Sequence, residues 1–202
     1  YTKGTVLIGE EKEEHYMELI YYYEVEENTM HWYSLVVDGE PSLLEKVFEE
    51  TGTTFFENAL IKAKTVSLAL NENVLADDSG LAVDILNGAP GVYSARYSGE
   101  HGNDKSNRDL LLKNLENQTN RKAKFISSVV LYKKDGSYID GYGETLGTIL
   151  REEIGENGFG YDCIFLSDDL NKSFGIATAD EKNSVSHRFR AIQDLYKKLR
   201  KY

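Results

Sequence analysis

Four short segments carry side chains whose types and spacing suit phosphate chemistry. The run Val-Leu-Ala-Asp-Asp-Ser-Gly-Leu-Ala-Val from Val74 to Val83 is apolar except where Asp77, Asp78 and Ser79 precede a glycine. Aspartate is a poor strand former and adjacent carboxylates repel, so the pair has a reason to stand there if a divalent cation or a proton acceptor is wanted. The alternative is that both cap a turn. In Gly158-Phe159-Gly160-Tyr161-Asp162, glycines permit close ligand approach and an aromatic face can stack on a flat base, although such a cluster also suits a tight core turn. Lys182, His187 and Arg188 gather cationic and titratable groups at the start of the last helix. The helix dipole disfavours cations there unless an anion is present, which points to a phosphate-bearing ligand or else to a solvated basic turn. Glu49 and Glu50 precede a helix on which Asn58 and Lys62, four apart, share a face, so that an acid and then a lysine could give one metal ligand and one phosphate contact, although taken singly these are surface charges. Together these segments offer carboxylates for Mg²⁺, cations for phosphates and aromatics for a base, which is the set a nucleoside triphosphate hydrolase needs.

Positioning such groups requires strands and helices in alternation. Thr5–Ile8 is a β-branched run compatible with a first strand, while Glu13–Tyr23 fits either a helix or an aromatic strand. Phe55, Ala59, Ala63, Val66 and Leu70 recur at helical spacing, and Thr53 or Thr54 can cap that helix, with Glu57 three residues after Thr54 as in a capping box. Val74–Ala76 reads as a short buried strand ending at the acidic pair. Lys105–Leu115 reads as a helix, Phe125–Tyr132 and Ser137–Gly143 as strands, and Ser186–Tyr202 as a closing helix. The alternation predicts an α/β fold with a mixed sheet.

Composition narrows the function classes. The 202 residues carry 23 Lys+Arg against 34 Asp+Glu, a net charge of −11, which argues against nonspecific nucleic-acid binding because that requires a basic face. Residues 1–50 hold 3 basic and 13 acidic side chains, so nearly all the imbalance sits in the first quarter. It reads as a solvated acidic surface or as a docking face for a basic partner. No apolar stretch is long enough for a membrane span, and the single cysteine, Cys163, cannot form an internal disulfide or a multi-cysteine zinc site. A cytoplasmic protein is expected, with Cys163 a buried apolar residue rather than a nucleophile.

Taken in order, Glu49–Lys64, Leu75–Leu81, Gly88–Gly99, Glu156–Asp162 and Ser186–Arg188 resemble the motifs of the inosine/xanthosine triphosphate pyrophosphatase family. The resemblance implies a homodimeric α/β enzyme with a long mixed sheet, flanking helices and two lobes enclosing a nucleotide cleft. It implies Mg²⁺-dependent hydrolysis of non-standard purine nucleoside triphosphates (ITP, dITP, XTP) to the monophosphate and pyrophosphate. By position, Glu50 and Asp78 would hold the metal, and Asp78 would also accept a proton from the attacking water. Ser79, Lys62, Phe159, Gly160, Tyr161, Asp162, Lys182, His187 and Arg188 would contact substrate. The chain then reads as one domain over 1–202, in which 49–202 is family-like and 1–48 is divergent and acidic. The family's opening loop, Ser/Thr-x-x-Asn-x-x-Lys, has no counterpart in Thr5–His15, where glutamates stand instead. A nucleotide-binding or interaction protein that keeps the pocket without turnover is the alternative reading.

Overall fold

The computed structural model describes residues 2–8, 13–24, 29–37, 40–41 and 51–200. In the first part, strands β1 (Thr2–Ile8), β2 (Glu13–Glu24), β3 (Thr29–Val37) and β4 (Glu40–Pro41) form an antiparallel sheet in that order. The ambiguous segment from Glu13 is therefore a strand, since it pairs with β1 over Glu13 to Leu19 and with β3 over Met17 to Glu24.

From residue 51 onward, a second sheet is flanked by helices. Its strands are β5 (Val74–Val83), β6 (Lys122–Tyr132), β7 (Tyr138–Ile149), β8 (Phe165–Ser167) and β9 (Lys172–Ser173), in the order β5-β6-β7-β8-β9. The α/β class stands, but every pairing among the described strands is antiparallel, where alternation of elements predicts a mixed sheet. The reason is connectivity: β6 returns alongside β5 in the opposite sense, and β7 follows β6 by a tight turn at 133–137, which only an antiparallel pair allows.

Helix α1 (Phe55–Leu70) begins as its sequence predicts. Thr54 Oγ1 accepts from the Glu57 amide at 3.1 Å, and Glu57 Oε2 accepts from the Thr54 amide at 3.0 Å, so the capping box is complete. Ala59 and Ala63 are fully buried and pack with Val130 and Tyr132. Helix α4 (His187–Leu199) instead packs Ala191 and Leu195 on Val129. Because Val129 and Val130 are consecutive in one strand they face opposite ways, so α1 and α4 cover opposite faces of the sheet. Gly141 and Gly143 in β7 let α4 come close: a Cβ on Gly143 would lie 2.2 Å from the His187 carbonyl oxygen. Helix α2 (Asp104–Asn114) and the short α3 (Ala179–Val185) complete this part. The largest core cluster joins Leu81, Phe125, Phe165, Phe174 and Leu111, with the Phe125 and Phe165 rings 4.6 Å apart.

Candidate active site

Strand β5 does not stop at Ala76. It continues through the acidic pair to Val83, with Asp77 opposite Val129 and Asp78 opposite Ser128 on β6. Alternation of side chains in a strand therefore sends the two carboxylates to opposite faces, which corrects the expectation that they share one turn. Asp78 faces α1. Lys62 Nζ lies 2.9 Å from Asp78 Oδ1, and Asn58 Nδ2 donates to Asp78 Oδ2 at 3.2 Å. Asn58 is fully buried and also accepts from the Gly52 amide at 2.9 Å, which ties the loop before α1 to the helix. Asn58 and Lys62 do share the face that their spacing predicts.

Asp77 faces α4. Arg188 Nε donates to Asp77 Oδ2 at 2.9 Å, and Ser79, two residues along on the same face, donates its hydroxyl to that oxygen at 2.9 Å. Burial would raise the Asp77 carboxyl, but the Arg188 guanidinium, the Ser79 hydroxyl and Lys62 together hold it below the ordinary aspartate range. Among the described strands β5 lies at the sheet edge, with the Asp78 group on one of its faces and the Asp77 group on the other.

The glycine-aromatic segment adjoins through Arg188. Lys182 Nζ sits 4.5 Å from the centre of the Phe159 ring and Arg188 Cζ 5.8 Å from it, so two cations lie against one aromatic ring. Asp162 is 3% exposed, accepts from the Phe159 amide at 2.8 Å and pairs with Lys182. Burial pushes its carboxyl up, against the opposing pull of Lys182. Gly158 and Gly160 have φ of +78° and +60°, a left-handed backbone that a side chain would strain.

Tyr161, expected at the substrate, is 5% exposed within the main core, and its hydroxyl donates to the Ser94 carbonyl at 2.9 Å, which anchors the loop. His187 is also interior, stacked on Phe125 at 5.0 Å and 14°. Glu50 lies outside the described residues. Cys163 is buried, and burial raises its thiol, as expected of a residue with no nucleophilic part.

Sequence reasoning missed the pairing of Arg188 with Asp77 and the contacts that Asp104 and Arg108 of α2 make with Gly160. Their only sequence signal is a four-residue spacing, which thousands of surface helices share. Among the described residues, no group of three or more His, Cys, Asp or Glu could hold a metal ion. The hard oxygen donors present suit Mg²⁺ all the same, because Mg²⁺ is commonly held by one or two carboxylates with substrate phosphates completing its shell.

A sequence profile of the Ham1 family matches residues 22–198. The chain belongs to that family. Members similar to it include a dITP/XTP pyrophosphatase of Clostridium tetani, 47% identical over 157 residues that cover 76% of this chain and 78% of that protein. Another is a dITP/XTP pyrophosphatase of Haemophilus influenzae, 50% identical over 155 residues, 75% of this chain and 80% of the relative. Among solved structures, the Ham1 protein of Staphylococcus aureus superposes with a TM-score of 0.73 at 44% identity, covering 76% of this chain and 80% of the other. The Ham1 chain therefore shares both sequence and fold with these relatives across three quarters of its length.

Proposed function

We propose that this Ham1-family protein is a nucleoside triphosphate pyrophosphatase that hydrolyses non-standard purine nucleoside triphosphates, dITP, XTP and ITP, to the monophosphate and pyrophosphate. The relatives' named activities support the reaction class. The observation that carries it to these residues is that Asp78 with Lys62 and Asp77 with Arg188 come from consecutive positions of β5, the latter adjoining Lys182 and the Phe159 ring.

In this reading the base stacks on Phe159, and Lys182 and the buried Asp162 recognise its edge. Lys62 and Arg188 bear on the phosphates, whose negative charge is what their present partners, Asp78 and Asp77, mimic. Asp78 Oδ1 or Oδ2 takes a proton from water as its oxygen attacks the α-phosphorus. The bond from that phosphorus to the bridging oxygen breaks and the oxygen leaves with pyrophosphate. Asp78, with Glu50, would hold Mg²⁺, which supplies charge neutralisation at the phosphates when bound. Ser79 fixes Asp77 and, through its hydroxyl at 3.0 Å from Ser127 Oγ, the adjoining strand.

The same reading treats residues 1–202 as one functional unit, active as a homodimer in the cytoplasm. The single cysteine agrees with a reducing compartment, and no described helix is long and apolar enough to cross a membrane. The deciding experiment is pyrophosphate release from dITP, XTP, ITP, GTP and ATP with Mg²⁺, beside Asp78→Asn. Selective release from the first three is expected, with the variant slower by on the order of 10²–10⁴-fold. Unchanged turnover in Asp78→Asn removes the proton-acceptor assignment. No release from any nucleotide, with binding seen as thermal stabilisation, would make this a nucleotide-binding protein instead.

A further inference from the structure

Helix α2 grips one glycine of the aromatic loop by both of its backbone groups. The Gly160 amide donates to Asp104 Oδ2 at 2.8 Å, and the Gly160 carbonyl accepts from Arg108 Nη1 at 2.8 Å. Asp104 and Arg108 are four apart on α2 and so stand on one helix face. Asp104 opens the helix, where the dipole favours a carboxylate, and Asn103 caps it by accepting from the Ser106 amide. Arg108 is mostly buried, and its Nε donates to Glu153 Oε1 at 2.9 Å, so one guanidinium joins the 151–157 loop to Gly160.

This grip matters because of what the neighbours of Gly160 do. Phe159 presents its ring to Lys182 and Arg188, and the Phe159 amide with the Asp162 carboxylate closes the loop on itself. Those bonds are internal to the segment: they fix its shape but not its position. Position comes from Tyr161, anchored on Ser94, from Asp162, whose carboxylate pairs with Lys182 and whose carbonyl accepts from the Gly175 amide, and, at Gly160 itself, from the two bonds of α2. A left-handed glycine at φ +60° can swing its flanking peptides at small cost, so holding both its amide and its carbonyl removes that freedom next to the stacking ring.

We infer that Asp104 and Arg108 are positioning residues that set the purine specificity of the Phe159–Asp162 loop, resting on the pyrophosphatase reading above. Neither touches the base. With the grip loosened, the ring and the Asp162 carboxylate sample wider positions, and a purine with the wrong exocyclic group is rejected less well.

The test compares the parent with Arg108→Met, Arg108→Lys and Asp104→Asn. It measures kcat and KM for dITP and dGTP, and hydrogen exchange of the peptide that contains residues 158–162. Arg108→Met is expected to raise KM for dITP and to cut the dITP-over-dGTP preference, each by roughly tenfold, with kcat for dITP little changed. Exchange in the loop rises, and Arg108→Lys, which still donates to one partner, recovers part of the preference. If the variants lose only thermal stability while both preference and KM stay at the parent's values, the positioning role is overturned. An active parent with unaltered variants sinks this inference alone, whereas a parent that releases no pyrophosphate sinks the proposed function.

Discussion

His187 should make the protein measurably less stable as pH falls through the mildly acidic range. Its imidazole is 5% exposed, lies flat against Phe125, and its Nδ1 has no hydrogen-bond partner among the described residues. Burial foremost, then the charges of Arg188 and Lys182, lower its pKa from 6.5 to about 3; Asp77 pulls weakly the other way. The unfolded chain takes up a proton below pH 6.5, but the folded chain refuses one until about pH 3. Between those values the unfolded state binds more protons, so stability falls as pH drops. Each pH unit is worth about 1.4 kcal/mol. At pH 5, roughly 1.5 units below the unfolded value, the penalty is about 2 kcal/mol, and the whole window amounts to about 5 kcal/mol.

The perturbation is His187→Gln, which fills similar space and does not titrate. Urea unfolding of parent and variant at pH 7 and pH 5 gives two stability differences. Other groups with lowered pKa, such as Asp77, Glu144 and Asp194, titrate in both proteins and cancel. The parent's advantage at pH 7 should shrink by about 2 kcal/mol at pH 5. Should the variant be too unstable to compare, ring NMR of the parent reads the same quantity, with His187 neutral at pH 5. Parallel loss in the two proteins, or an imidazole that charges near pH 6, would refute the reasoning from burial and neighbouring cations.

Two further expectations concern packing. Cys163, buried and with its thiol raised, should not react with a disulfide reagent in the native protein and should react fully in denaturant; rapid native labelling would show that the core around it opens. Gly143→Ala forces a Cβ against the His187 carbonyl and the Ala191 amide, at 2.2 and 2.3 Å. It should cost about 1–3 kcal/mol in chemical denaturation, while a negligible loss would mean that α4 shifts away from β7 freely.

Local signals were legible and long-range ones were not. The front of α1 could be read because a capping box and a helical apolar period lie within a few residues of one another. Helix α2 and the closing helix fall within a few residues of their expected spans, each fronted by a side-chain cap, Asn103 and Ser186. Strand β7 runs to Ile149, past the expected end at Gly143; it carries Gly141, Gly143 and Gly147, a residue type that weakens a strand reading as it accumulates. In the fold they are contact points, where α4 and Phe165 press on the backbone. The acidic pair misled for a related reason: aspartates read as a strand end, yet ten consecutive residues of β5 pair with β6, and that partner is far away in the chain. The choice between strand and helix for Glu13–Tyr23 likewise turned on partners that periodicity alone does not reveal.

Placing the two aspartates on opposite faces of an edge strand changes how the site must work. Two carboxylates on one face would repel and would need a cation between them simply to coexist. Here each has its own cationic partner, Lys62 for Asp78 and Arg188 for Asp77, and the buried Asp162 has Lys182. The described site is thus charge-matched before any ligand arrives, which spares it the cost of uncompensated buried charge. On the proposed reading, a triphosphate would compete for these cations, because its oxygens offer them more negative charge than a single carboxylate can. With Lys62 and Arg188 turned to phosphate, Asp78 would regain lone pairs for a proton or a divalent ion, and Asp77 would keep the Ser79 hydroxyl. Binding and activation would then be one exchange of partners rather than two events. A nucleotide that engaged only the base loop, and left Lys62 on Asp78, would be held without being hydrolysed.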